Sequence, residues 1–158
     1  MLRRKLRGKI RGISEMADNQ GAEKVARGIV DAHSASDWAG VKNSLAPNSV
    51  YEEYGTRRRI EGSDAIVAAL QGWKTAFPDV KGTVNNALAS ENAVALEVTW
   101  RGTHTGPLDT PNGSVPASGK AFTLLTAWTI DVENDKITSS RHYFDILTLL
   151  EQIGAAPA

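Results

Sequence analysis

Apolar residues recur along this chain in two rhythms, three to four residues apart in its first half and two apart in its second. The helical rhythm opens in AEKVARGIVDAHSASDWAGVKNSLA, where Val25 and Ile29 lie one turn apart and Trp38, Val41 and Leu45 extend the stripe. Ser36 or Asp37 can cap a new start, so the segment predicts two consecutive helices. NSVYEEYGTRRRIEG follows as a short hairpin turning at Gly55. In SDAIVAALQGWKTAFPD, Ser63 can cap a helix whose buried face carries Ile66, Leu70, Trp73 and Phe77, and Pro78 stops it.

Alternation then takes over. NAVALEVTWRGTH sets Val94, Leu96, Val98 and Trp100 on one side of a strand, with His104 closing that face. KAFTLLTAWTIDV repeats the pattern through Phe122, Leu124, Trp128 and Ile130, interrupted by Thr126. NDK makes a tight turn into ITSSRHYFD, where strict alternation puts Ile137, Ser139, Arg141, Tyr143 and Asp145 on one side. Helices first and long antiparallel strands last predict an α+β domain with helices packed on one face of a curved sheet. TGPLDTPNGSVPASG, between two of the strands, has no periodicity and reads as a long loop of the kind that serves as a functional flap or is a plain insertion.

The formal net charge is zero, yet MLRRKLRGKIRGISE carries six basic residues and one acid, which leaves 12 basic and 17 acidic residues in the remainder. Residues 1–19 are read as a basic, flexible extension and 20–158 as the single domain. The extension suits an anionic surface or a targeting role, or no role if translation starts at Met16. The acidic body would repel phosphate, so nucleic acid is not an expected partner. No apolar run reaches the ~18 residues needed to span a bilayer, so no membrane association is expected. The absence of cysteine excludes thiolate catalysis and fits a reducing, cytoplasmic setting. No phosphate loop, GxGxxG or GxSxG is present, and three scattered histidines do not make a metal site, so neither cofactor nor metal is expected.

Asp145, at the end of the last strand and the start of ILTLLEQIG, has two readings. Facing a pocket beside Arg141 and Tyr143, it is a carboxylate whose pKa burial raises and the guanidinium lowers, fit for general acid/base work. Facing outward, it caps the helix. His104 is a titratable group at the end of an apolar face, or a satisfied core histidine. Trp73, Trp100 and Trp128 are core aromatics or pocket walls. Tyr51 and Glu53 share one side of the first strand and Glu52 and Tyr54 the other, without a sign of which faces inward. Arg57, Arg58 and Arg59 read as a solvated hairpin edge, and His142 lies on the face opposite Asp145.

Taken in order, AFPDV, EVTWRGTHTGPL, PASGK and above all RHYFDILTLLEQIG resemble the SnoaL-like polyketide cyclases, or ester cyclases, over residues 20–154. The resemblance implies a nuclear-transport-factor-like cone: a barrel of strongly curved antiparallel sheet wrapped around N-terminal helices and enclosing an apolar pocket. It implies cofactor-free intramolecular aldol ring closure of a small apolar, polyketide-like carbonyl substrate, with Asp145 as acid/base. His104, Arg141, Tyr143, Trp73, Trp100, Trp128, Tyr51 and Glu53 are then the substrate-binding candidates, and a homodimer is the expected assembly. The competing readings are isomerase or epoxide hydrolase chemistry in the same pocket, or a non-catalytic module that holds a hydrophobic ligand or dimerises.

Overall fold

The computed structural model describes residues 2–157. Helix α1 (Leu2–Ser34) takes in the basic segment and ends where Ser36 adopts a left-handed conformation. Asp37 then caps α2 (Trp38–Ser44), its Oδ1 accepting from the Gly40 amide, so of the two candidate caps it is Asp37 that acts. Strands β1 (Leu45–Glu53) and β2 (Arg58–Glu61) form the hairpin around Gly55. Helix α3 (Ser63–Ala76) starts from Gly62 without a side-chain cap, so Ser63 does not play the part expected of it.

Strand β3 (Lys81–Ser90) was not foreseen, because its KGTVNNALAS offers only weak alternation. It pairs with β4 (Ala93–Thr103), where Val94, Leu96, Val98 and Trp100 are buried as the alternation requires. The long loop carries a two-stranded hairpin, β5 (Leu108–Thr110) and β6 (Gly113–Val115). Strand β7 (Ala121–Glu133) turns through Asn134 and Asp135, both at positive φ as a tight hairpin demands, into β8 (Lys136–Tyr143). Helix α4 (Ile146–Ile153) closes the domain, with Gly154 left-handed at its end.

The six long strands form one sheet in the order β2-β1-β8-β7-β4-β3. Two features of the expected cone are corrected. The sheet is mixed, because β1 runs parallel to β8 and not antiparallel to it. It is also open, with β2 and β3 at its two edges, and does not close into a barrel. The core lies between its concave face and helices α1, α3 and α4, joining Ala26, Ile29 and Val30 of α1 to Ile66, Leu70, Leu149, Ile153 and the inward strand residues. No helix is long and apolar enough to cross a membrane among the described residues.

One irregularity decides what faces this core. Asp131 pairs with Ser139 but Val132 pairs with Ile137, so Thr138 is an extra residue on β8. Side chains alternate with period two, and one inserted residue exchanges the faces beyond it. Ile137 is therefore inside, and so are Ser140 and His142, while Arg141 and Tyr143 point away from the core. The expectation that Ile137, Arg141 and Tyr143 share a side is overturned by this bulge.

The bulge makes residue count matter more than residue type at position 138. Deleting Thr138 would turn Arg141 and Tyr143 inward, and the variant is expected to lose cooperative unfolding. Thr138→Ala, which keeps the count, is expected to stay within about 1 kcal/mol of wild type in urea denaturation.

Candidate functional site

Between sheet and helices lies a cavity of about 70 Å³. Its wall is almost wholly apolar, built from Leu70, Trp73 and Phe77 of α3 and its end, Val80, Trp100, the β7 residues Phe122, Leu124 and Trp128, and Phe144 and Leu149. Four polar residues share the wall: His33, Tyr51, Thr126 and His142.

His142, Tyr51 and Thr126 form one hydrogen-bonded chain whose direction follows from the single proton on each hydroxyl. Thr126 Oγ1 donates to the Val98 carbonyl at 3.2 Å, so toward His142 Nε2, 3.1 Å away, it accepts. Nε2 therefore carries the ring proton, and Nδ1 accepts from the Tyr51 hydroxyl at 3.0 Å. The imidazole also stacks on Trp128, with centroids 4.6 Å apart and planes 14° from parallel. Burial, reinforced by His33, lowers the His142 pKa to about 3, and burial raises that of Tyr51 well above its usual value. The chain is neutral throughout. Thr126, the break in the apolar face of β7, is the residue that terminates it.

His33 reaches the cavity from α1. Its Nε2 donates to the Leu70 carbonyl at 3.3 Å, which leaves Nδ1 as an acceptor with no partner among the described residues. Burial lowers its pKa to about 4 against the opposing effect of that hydrogen bond. The indole N–H groups of Trp100 and Trp128 are likewise buried and unpaired among the described residues.

The expected site residues divide sharply. Tyr51, Trp73, Trp100 and Trp128 line the cavity. Tyr51 and Glu53 are the inward pair of β1, but Glu53 lies behind the wall, where Arg58 pairs with it across 2.7 Å, so Arg58 is no mere solvated edge residue. His104 is fully buried beyond the cavity and pins the long loop: the Ser118 amide donates to its Nδ1 at 3.3 Å, and its carbonyl accepts from Gly119. Arg141 pairs with Asp131 at 3.1 Å on the outer face, and Tyr143 stacks on Tyr54 there.

Asp145 is exposed and does not line the cavity. Its Oδ1 accepts from the Leu147 amide at 3.0 Å and its Oδ2 from the Thr148 hydroxyl at 2.7 Å, so it is the N-cap of α4. The Thr148 hydroxyl and the helix amides hold its pKa below the ordinary carboxylate value, the opposite of what a pocket acid needs. His33, which sequence reasoning passed over, had a legible signal: it continues the spacing of Ala26, Ile29 and Val30 on the buried face of α1. His142 had none, since its inward turn depends on the bulge.

The SnoaL-like polyketide cyclase profile matches residues 23–153. The chain belongs to that family. Among solved structures, a proposed SnoaL-like polyketide cyclase from Jannaschia sp. CCS1 superposes with a TM-score of 0.78 at 15% identity, covering 89% of this chain and 96% of the other. IdmH, a proposed polyketide cyclase from Streptomyces antibioticus, gives 0.72 at 22% identity, with 84% and 98% covered. A protein of ketosteroid isomerase-like fold from Catenulispora acidiphila gives 0.71 at 17%, with 84% and 93% covered. At these identities the SnoaL-family chain shares the cone fold with them. No curated protein matches it.

Two outcomes test the site's electrostatics and the cap. His33 and His142 are neutral in the fold with pKa values near 4 and 3 but titrate near 6.5 when unfolded, so the unfolded chain binds more protons between those limits. Their contribution to stability is complete above pH 6.5 and is lost as pH falls toward 4 and 3. In thermal melts, His142→Asn is expected to make the fall in Tm across this window shallower by the share of about one proton. Asp145→Ala is expected to lower Tm by about 2–4 °C through loss of the cap, and Asp145→Asn, which can also cap, to change it by less than about 1 °C.

Proposed function

We propose that this SnoaL-family protein binds a small, largely apolar carbonyl compound inside its cone. The observation that supports this most is the aromatic and aliphatic cavity itself, whose wall offers a ligand dispersion contacts and removal from water at ~25 cal/mol per Å². At about 70 Å³ it is smaller than a typical ligand pocket of ~300–1,000 Å³. It is also under half the ~150 Å³ of a dry engineered cavity that holds benzene. A single ring or a short open chain that can coil into one is therefore the scale of ligand that fits once the cavity widens about twofold or more.

A cyclase reading of the same pocket is favoured by His33, a residue of the cavity wall whose buried Nδ1 has no partner among the described residues. In it, Nδ1 removes a proton alpha to a carbonyl, the enolate carbon attacks a second carbonyl of the same molecule, and the imidazolium returns the proton to the new alkoxide. One carbon–carbon bond forms, the proton is conserved and no electrons leave the substrate. Burial opposes the imidazolium, so it would exist only while paired with the enolate, and folding the chain so that both carbons meet would supply much of the rate. Asp145 is not assigned the proton in this scheme, because both its oxygens already serve α4.

Calorimetry with benzoylacetone is expected to show binding to the wild type and to Asp145→Asn alike. Turnover of short linear poly-β-carbonyl esters is expected to survive Asp145→Asn and to fall by about 10²–10⁴ in His33→Leu with binding kept within about threefold. Absence of binding to wild type would sink the ligand reading. Binding without turnover would leave a carrier, and turnover lost only in Asp145→Asn would return the chemistry to that carboxylate.

A homodimer through the outer sheet face is proposed as well, supported by Leu125 and Leu88, which are 68% and 67% exposed there. Light scattering is expected to give about twice 17.0 kDa for wild type and a shift toward the monomer in Leu125→Glu.

A further inference from the structure

Two rings of the cavity wall reach the protein surface. Of all the wall residues, only Trp73 and Phe144 are partly exposed, the rest being buried. They meet edge to face with centroids 5.9 Å apart.

The two rings are held very differently. Trp73 Nε1 donates to Glu53 Oε2 at 2.9 Å, and Glu53, 1% exposed, is fixed in turn. Arg58 Nη2 donates to both its oxygens at 2.8 and 2.7 Å, and the Thr56 hydroxyl donates to Oε1 at 2.8 Å. A buried carboxylate with this many donors has one geometry, and it transmits that geometry to the indole. Phe144 has no polar atom to be tied. Its ring rests on the backbone of Gly55, where a Cβ would fall 2.4 Å from a ring carbon, and edge-on to His142 at 5.3 Å.

We propose that Trp73 and Phe144 are the two leaves of a gate, that Glu53 is a positioning residue fixing the Trp73 leaf, and that Phe144 is the leaf that swings to admit a single-ring apolar ligand. This rests on the reading of the cavity as a ligand site, and its small volume requires some part of the wall to move. The function of Glu53 is thus neither contact with ligand nor proton transfer. It sets which ring moves, and so the rate at which ligand exchanges.

The test is stopped-flow association and dissociation of benzoylacetone, read by tryptophan quenching. Glu53→Met removes the acceptor of the Trp73 N–H, and Trp73→Phe removes the N–H while sparing the Glu53–Arg58 pair. Both are expected to raise both rate constants about tenfold, and Glu53→Met, which leaves the cavity wall intact, to keep Kd within about threefold, since freeing a leaf changes access more than affinity. Glu53→Gln keeps an acceptor oxygen and is expected to restore slow exchange. Wild-type rates in Glu53→Met and Trp73→Phe would overturn the proposal, as would Glu53→Gln exchanging as fast as Glu53→Met. If Glu53→Met does not fold, Trp73→Phe decides by the same rates. If benzoylacetone does not bind wild type, the ligand reading fails, and acrylamide quenching of the Trp73 emission, taken as the difference from Trp73→Phe, decides the role of Glu53. A Stern–Volmer constant in Glu53→Met at least about twofold above wild type and Glu53→Gln would support it, and an unchanged one would overturn it.

Discussion

The extra residue at Thr138 governs the interior of this protein. Because β8 lies between β1 and β7, its face sets what the centre of the sheet presents to the helices. With the bulge, Ser140 and His142 enter the core and Arg141 leaves it for Asp131 on the far side. Without it, a guanidinium and a phenol would face Trp128 and Tyr51, and burying an unpaired cation there would cost several kcal/mol. The bulge is thus a condition of having an apolar cavity at all.

An imidazole in that cavity is acceptable only when neutral and bonded. The chain from Tyr51 through His142 to Thr126 and the Val98 carbonyl meets both requirements, since every hydrogen has an acceptor and no group carries charge. Each such bond is worth only about 1 kcal/mol net, but leaving one buried partner unmatched costs about 1–3 kcal/mol, so the network fixes the ring more than it stabilises the fold. His33 is different. One nitrogen is tied to the Leu70 carbonyl and the other has no partner among the described residues, which sets it apart from the fully bonded His142.

What could be read from the sequence followed the regularity of each element. β4 alternates regularly on its inward face and β7 does so apart from Thr126, so their apolar core residues, Trp100 and Trp128 among them, were legible from spacing alone. The helical stripe through Ile66, Leu70 and Trp73 was equally plain, and it placed Trp73 where it lines the cavity. The family and the cone were legible from the order of short phrases, although openness and the parallel β1–β8 pairing were not, because strand neighbours distant in sequence leave no local trace. β8 was misread because TSS gives no sign of a bulge, and none of the three residues expected beside the substrate from that strand's end, Arg141, Tyr143 and Asp145, lines the cavity. Glu53 was placed on the right strand, but its bond to Trp73 was not legible, since that partner lies 20 positions away on another element.

Asp145 shows why a residue type at a strand-to-helix junction is weak evidence for chemistry. The first turn of any helix presents unpaired amides, and a carboxylate placed just before it satisfies them whatever else the protein does. Here the Leu147 amide and the Thr148 hydroxyl take one oxygen each, which stabilises the charged form and makes the group a weaker base. A pocket acid needs the reverse: burial that raises its pKa and an oxygen left free for the substrate. The same aspartate cannot satisfy both sets of conditions in one conformation. In this chain α4, whose Leu149 and Ile153 close the base of the core, has the stronger hold on it.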